Sequence, residues 1–440
     1  MSQRWPKFRD KSRALPVVRD RVAAELPPGK LFPADDEDLI ESGLIDSMGW
    51  VGILSGLEDI TGVQDFGNPW PPNRPQSVRA LAELLCEAPG EDAEAAASRS
   101  ARSVAPGDSW VNLTGWGYAL GRIRVEAAGV ESKCALAPGT ISGRAGIDTV
   151  CYAGQSEDEI SLGFDAAEAA LAKAGVGPGQ VDVLVATSAT WIAFPSLAAR
   201  LHSRLILDES CGAFDVGGAC AGVIHALATA RAILLTGRKV ALVVAAEINS
   251  RPLAAAPGEF RGLFGDGACA FILSRSGAST PGECRLGNFI SGCSGAHASA
   301  LRLGLTGVGS VTVEFKGEEL VGAAITALDR VIQELEAESG TLRTEVDWFA
   351  LHQANPRAFR SLANRANIPL VKSPEVTRYT GNLGSATCGV ALCKALEKAE
   401  ADHHGERHKV IFVGAVGPGL LWAGTYISIV TSAAASTGQP

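Results

Sequence analysis

The chain has 440 residues, 46% hydrophobic and 20% charged, which is ample material for a large core and for two or three domains. A net charge of −9, with basic groups scattered rather than striped, argues against a nucleic-acid partner. Apolar runs such as "VALVVAA" fall far short of the ~20 residues of a membrane span, and no apolar segment follows the polar start "MSQRWPKFRDKSR". A cytoplasmic protein with no signal peptide and no membrane contact is expected.

Residues 1–88 read as a small helical unit in which acid outweighs base. "VVRDRVAAEL" has helical spacing, "DEDLIESGLIDSMGWVGILSGLEDITGV" holds a loop, a turn and a middle helix, and "SVRALAELL" is a further helix. Asp46 and Ser47 open the middle helix, where a serine acting only as an N-cap explains the pattern as it stands. Residues 89–109, "PGEDAEAAASRSARSVAPGDS", carry no large apolar side chain except Val104 and have the composition of a linker.

The remainder reads as two halves, residues 110–280 and 281–440. "VDVLVATSAT" at 181 is echoed by "VDWFALHQAN" at 346, and "GRKVALVVAAE" at 237 by "ERHKVIFVGAV" at 406. Between each pair lie a small-residue turn and an Ala-rich helix, "GGACAGVIHALATARAIL" in one copy and "GNLGSATCGVALCKALEKA" in the other. Near-continuous apolar strands in this plan imply buried sheets covered by helices on both faces. Loops from both halves can then converge on one site.

Cys220 falls where a strand gives way to a helix, behind Gly217, Gly218 and Ala219. A small buried thiol fits that place, and so does a nucleophile whose pKa the helix N-terminus lowers. His352 stands at a strand end in "ALHQANPRAF", and Asn382 occupies the matching turn of the second half in "YTGNLGSATCG". Asn also serves plain turn chemistry. Together the three supply a nucleophile and two hydrogen-bond donors for an enolate or oxyanion. His225 reads as a packed core residue, His403, His404 and His408 as solvated, and His202 and His297 carry no signal. The ten cysteines form no C-x-x-C pair and no metal site is expected; most read as small buried hydrophobes.

"FDVGGACAGVIHAL", "GLFGDGACAFIL", "LHQANPR" and "GNLGSAT" resemble the motifs of the ketoacyl synthase III enzymes of the thiolase fold, from about residue 110 to the C-terminus. The resemblance implies an α/β, duplicated, five-layered αβαβα fold and a homodimer. It implies that Cys220 takes the acyl group, while His352 and Asn382 bind the extender thioester carbonyl and stabilise the carbanion left by decarboxylation. Gly265, Asp266 and Gly267 would be structural. Two departures stand out. The Arg-bearing segment that family members use for coenzyme A starters is reduced to a displaced Arg144, and the middle of the family's Gly-triplet turn is Pro418, which has no N–H. The oxyanion hole is then left to the Cys220 N–H, alone or with Gly417 or Gly419.

The segment from "DLIESGLIDSMGW" to "QSVRALAELL" resembles an acyl carrier protein, an all-α bundle. That resemblance makes Ser47 the attachment point of 4'-phosphopantetheine and implies a phosphopantetheinyl transferase as partner. Its middle helix carries Gly49, Trp50, Gly52 and Gly56 where carriers often present acids, with Glu58 and Asp59 only at its end. Trp50 is a candidate docking anchor.

The combined expectation is a condensing enzyme with a fused carrier, joining acyl and malonyl-type thioesters held on carrier protein or coenzyme A, in polyketide or specialised lipid biosynthesis. One rival transfers the acyl group from Cys220 to an alcohol or amine. In another, the front unit is only a docking module.

Overall fold

The computed structural model describes residues 11–26, 30–39, 42, 44–45, 53, 57, 76–86, 110–276, 282–297, 299, 301–305, 311–315, 317–401 and 408–430. Ser47, Asp46, Trp50, the predicted linker 89–109, and His403 and His404 lie outside these residues. The chain divides into two compact units, Met1–Ala105 and Pro106–Pro440.

In the first unit, helix α1 (Lys11–Glu25) begins upstream of Pro16, earlier than the apolar spacing implied. Helix α2 (Val78–Cys86) starts where the Ala80 N–H donates to the Ser77 hydroxyl. Ala14, Val18 and Val22 of α1 share a core with Val78, Leu81 and Leu85 of α2. Ile53 and Leu57, helical and spaced by one turn, join it from the predicted middle helix.

The described residues of the second unit form thirteen strands. The first seven are β1 (Trp110–Leu120), β2 (Ile123–Glu126), β3 (Thr149–Tyr152), β4 (Val183–Thr187), β5 (Gly212–Asp215), β6 (Val240–Ile248) and β7 (Asp266–Ser276). After them come β8 (Cys284–Cys293), β9 (Leu301–Leu305), β10 (Val311–Phe315), β11 (Trp348–Leu351), β12 (Lys409–Gly417) and β13 (Leu421–Ile429). Nine form one sheet in the order β11-β12-β13-β8-β1-β7-β6-β4-β5. The doubling is explicit in the pairing. β4 runs parallel to β6, β6 antiparallel to β7, and β7 antiparallel to β1. The second half repeats this with β11 parallel to β12, then β13 and β8 antiparallel. The halves join edge to edge where Asn112 and Leu113 of β1 face Arg285 and Cys284 of β8.

Side-chain alternation along the strands creates the layers. Val183, Val185, Val243 and Phe271 of the first half, with Ile411 and Val413 of the second, face a central core shared by helices α5 (Gly222–Leu235) and α8 (Ala386–Ala401). Leu184, Ala186, Val244 and Ile272 point the other way, onto α3 (Glu159–Ala174) and α4 (Leu197–Leu205). Phe412 and Tyr426 do the same toward α6 (Gly317–Ser339) and α7 (Pro356–Arg365). Helices α3 and α4, the first half of the sheet, α5 and α8, the second half of the sheet, and α6 and α7 follow in turn, the layering that the resemblance implies. Each large apolar side chain buried this way stabilises the fold by ~1.5–3 kcal/mol.

The central helices are rich in small residues because they pack close. A Cβ on Gly389 of α8 would lie 2.1 Å from the Cys269 sulfur. Cys269, Cys388 and Cys393 are free and buried, as the small-hydrophobe reading expects. Capping sets the helix starts. Asp158 and Ser161 form a reciprocal capping box on α3, and the Asn355 side chain accepts from the Ala358 N–H at 2.8 Å to cap α7.

Candidate active site

The chain leaves β5 at Asp215 and reaches Cys220 through a tight turn. Gly218 has φ 153°, and a Cβ there would lie 2.5 Å from the His225 Nδ1. Ala219 is held at φ 45°, in the left-handed region that costs most residues energy, so the turn holds a strained conformation beside the thiol. A single 3₁₀ turn, Ala219–Ala221, carries Cys220 into α5. Gly222 then abuts β4, since a Cβ there would meet the Thr187 hydroxyl at 2.4 Å.

The expected lowering of the thiol pKa does not occur. Burial, and then the Glu247 carboxylate, push the Cys220 thiol up to about 12, while its own backbone N–H works in the opposite direction. Desolvation outweighs a helix dipole that begins only at Gly222. Alkylation of Cys220 by iodoacetamide is therefore expected to accelerate about tenfold per pH unit from pH 7 to 10. A plateau below pH 8 contradicts a raised pKa.

His352 follows β11, and its N–H donates to the Gly414 carbonyl of β12 at 3.0 Å. Burial holds its pKa down to about 4, so the ring is neutral at pH 7, and Nδ1 has no partner among the described residues. Gln353 anchors this end. Its Oε1 accepts from the Val376 N–H at 3.0 Å, and its Nε2 donates to the Pro374 carbonyl at 2.7 Å. The His352 loop is thereby tied to the segment that leads to Asn382.

Asn382 is buried, with 5% of its surface exposed. Its backbone bridges to Phe264, donating to the Leu263 carbonyl at 2.8 Å and accepting from the Gly265 N–H at 3.0 Å. A Cβ on Gly265 would lie 2.0 Å from the Thr380 carbonyl, and the Asp266 carboxylate accepts from Ala153 N–H, Ser250 N–H and the Ser250 hydroxyl. The Gly265–Asp266 turn thus supports the Asn382 loop. The amide orientation follows from its donors. The Gly384 N–H at 3.0 Å and the Thr387 hydroxyl at 3.1 Å both donate to Oδ1, which leaves Nδ2 as the donor.

Gly417 closes β12 directly against the nucleophile: a Cβ there would lie 3.0 Å from the Cys220 Cβ and 3.1 Å from its N. Gly417 pairs with Leu421 across the hairpin, so Pro418, Gly419 and Leu420 form the turn. Gly419, at φ 82° and ψ 0°, has the geometry of the third residue of a type II turn, for which a preceding proline is favoured. The proline that breaks the glycine triplet thus suits this turn. Gly417→Ala is expected to slow Cys220 acylation ~10²-fold by displacing the nucleophile. An acylation rate equal to wild type, measured by quenched-flow mass spectrometry, contradicts the close approach.

Residues 214–294 match the family described as 3-oxoacyl-[acyl-carrier-protein (ACP)] synthase III, and residues 336–429 match its C-terminal counterpart. The beta-ketoacyl-[acyl-carrier-protein] synthase III of Histophilus somni (strain 2336) is 32% identical over 299 residues, spanning 65% of this chain and 89% of the relative. That of Rhizobium meliloti (strain 1021) is 32% identical over 316 residues, 70% of this chain and 96% of the relative. The chain belongs to the ketoacyl synthase III family. It is therefore an enzyme of an acyltransferase, condensing class. Among solved structures, 3-oxoacyl-[acyl-carrier-protein] synthase III from Aquifex aeolicus VF5 superposes with a TM-score of 0.63 at 27% identity, covering 72% of this chain and 99% of that one. The priming beta-ketosynthase of the R1128 polyketide pathway does so with a TM-score of 0.61 at 26% identity, covering 73% and 97%.

Within this ketoacyl synthase III unit, some sequence readings change. His225 is half-buried rather than core-packed, and its Nδ1 lies 3.4 Å from the Gly217 carbonyl under the nucleophile turn. His408 lies 3.4 Å from the Ile429 carbonyl instead of standing free in solvent. Arg144 sits exposed on a π-helix, Thr140–Ala145, whose first turn is capped by the Glu131 carboxylate. Glu247 went unnoticed, although one carboxylate at the end of the apolar run "VALVVAAE" was the available signal. No group of His, Cys, Asp or Glu among the described residues could hold a metal, and no described helix is long and apolar enough to cross a membrane.

Proposed function

We propose that the enzyme performs a decarboxylative Claisen condensation through an acyl-Cys220 intermediate. The Cys220 sulfur attacks a thioester carbonyl, its proton passes to the departing thiol, and the acyl group is held on Cys220. A malonyl-type thioester then seats its carbonyl oxygen against His352 and the Asn382 Nδ2. The bond to its carboxylate breaks, CO₂ leaves, and the electron pair rests on an enolate that these donors stabilise. The enolate carbon attacks the acyl carbonyl, a C–C bond forms, and Cys220 leaves as thiolate and regains a proton. The Cys220 N–H, with Gly417 or Gly419, would hold the tetrahedral oxyanion.

The observation that carries this reading is the amide of Asn382, whose oxygen is occupied by two donors so that its nitrogen is free to donate. Transfer to an alcohol or amine needs no enolate stabilised, which makes the acyltransferase rival the weaker reading. Release of labelled CO₂ from a carboxyl-labelled malonyl carrier thioester, with a 3-ketoacyl product formed in equal amount, tests the condensation. Acyl transfer to an added alcohol without CO₂ favours the rival.

The reading extends to a fused carrier, with Ser47 as the attachment point of 4'-phosphopantetheine, a group that supplies a thiol for carrying acyl chains. The core shared by α1, α2, Ile53 and Leu57 supports a helical bundle of that kind. Protein treated with a broad-specificity phosphopantetheinyl transferase and coenzyme A should gain the phosphopantetheine mass on Ser47, and Ser47→Ala should gain nothing. An unmodified Ser47 would leave the front unit as a docking module. A fused carrier favours polyketide or specialised lipid biosynthesis, with acyl and malonyl-type thioesters on carrier or coenzyme A as substrates and the cytoplasm as location.

A homodimer is part of the same proposal. β5 ends the nine-stranded sheet, paired among the described residues with β4 alone. Phe214 on that edge, and Ile192 and Phe194 in the loop after β4, are exposed, a combination suited to pairing with a second copy.

A further inference from the structure

We propose that Glu247 is the positioning residue that sets the Asn382 donor against the Cys220 nucleophile. This rests on the condensation reading and names what holds its two halves in register. Glu247 is the penultimate residue of β6 and is fully buried. Its Oε1 accepts from the Ser385 hydroxyl at 2.5 Å, the Ser385 N–H at 3.3 Å and the Ala189 N–H at 3.1 Å. Its Oε2 accepts from the Ala189 N–H at 3.0 Å, the Thr190 N–H at 3.2 Å and the Ser188 hydroxyl at 3.3 Å. One carboxylate therefore joins the loop after β4, in the first half, to the turn after Asn382, in the second.

Both ends of that link reach reacting groups. Gly384, which donates to the Asn382 Oδ1, lies flat on the Glu247 side chain, where an added Cβ would meet its Cγ and Cδ at 3.1 Å. Ser385 stands against Gly222, the residue two beyond Cys220, its Cβ 3.5 Å from where a Gly222 Cβ would lie. An apolar side chain at 247 would leave the Ser385 and Ala189 N–H groups and the Ser385 hydroxyl without their acceptor. The Thr190 N–H would keep the Ser188 hydroxyl as a partner, and the Ser188 hydroxyl would keep that of Thr190. The carboxylate serves them at an electrostatic cost to the nearby thiol, whose pKa it raises. Cys388 also faces the Cys220 thiol, and His225 lies against the Gly217 carbonyl of the nucleophile turn.

Glu247→Gln and Ser385→Ala separate positioning from general packing. In Glu247→Gln the side-chain NH₂ must face at least one backbone N–H, and the clamp on Ser385 loosens. Decarboxylation of a malonyl thioester is expected to fall about ten- to hundredfold, with Cys220 self-acylation within about threefold of wild type. The iodoacetamide alkylation profile of Cys220 should move to lower pH because the charge is gone. Ser385→Ala keeps the charge, so it should show a smaller loss of decarboxylation with an unmoved alkylation profile. Acylation and decarboxylation falling together in both variants, or decarboxylation unchanged in both, overturns the proposal. Wild-type enzyme that fails to decarboxylate would instead sink the condensation reading on which the proposal stands.

Discussion

Asn382→Ala is expected to lower decarboxylation ~10²–10³-fold while Cys220 still takes up an acyl group. The amide Nδ2 is held in place by two donors on its oxygen, so its contribution is fixed before substrate arrives and is lost outright with the side chain. His352→Ala should show the same split. Because burial keeps the His352 pKa down at about 4, its ring stays neutral as pH falls from 7 to 5. Titration of His352 should therefore leave no inflection in the decarboxylation rate between pH 7 and 5. Carboxyl-labelled malonyl thioester and acid-quenched intact mass, run on the same samples, read the two steps. If Asn382→Ala forms product as fast as wild type, Asn382 is turn chemistry and the enolate role fails.

Cys220→Ala is expected to abolish the acyl-enzyme altogether. Cys220 is the thiol whose turn is shaped by Gly218, Ala219, Gly222 and Gly417 together, and each of these leaves no room for a longer side chain or holds an unusual backbone. Of the other buried thiols, Cys269, Cys284, Cys388 and Cys393 pack in the central layer and Cys151 and Cys211 are buried outside it, and none follows such a turn. Acyl mass that persists in Cys220→Ala, mapped by peptide mass spectrometry to another cysteine, contradicts the assignment of the nucleophile.

The doubling was legible because β4, β6, β11 and β12 are buried on both faces and so read as continuous apolar runs. β8 was not. Its burial alternates and it carries Arg285, two glycines and Asn288, so it resembles a loop until β13 and β1 flank it. The small-residue turns before α5 and α8 revealed the place of Cys220 and Asn382, and "GPGL" already spells the type II turn at Pro418. The state of the thiol was hidden. It depends on desolvation and on Glu247, which lies 27 residues away in the chain and is brought near by the sheet. The orientation of Asn382 was equally invisible, since Thr387 and Gly384 must first be folded around it.

The central claim, an acyl-Cys220 consumed by condensation, is tested most directly by a pulse and chase on intact protein. Enzyme is first acylated with a labelled acyl thioester and freed of excess donor, then given malonyl thioester on a separate carrier protein, and the Cys220 peptide is followed by mass spectrometry. The label should leave Cys220 and appear as a 3-ketoacyl group on that carrier, with one CO₂ released per label lost. Label that stays on Cys220 in the presence of malonyl carrier, yet departs when an alcohol or amine is added, would contradict condensation as the enzyme's reaction.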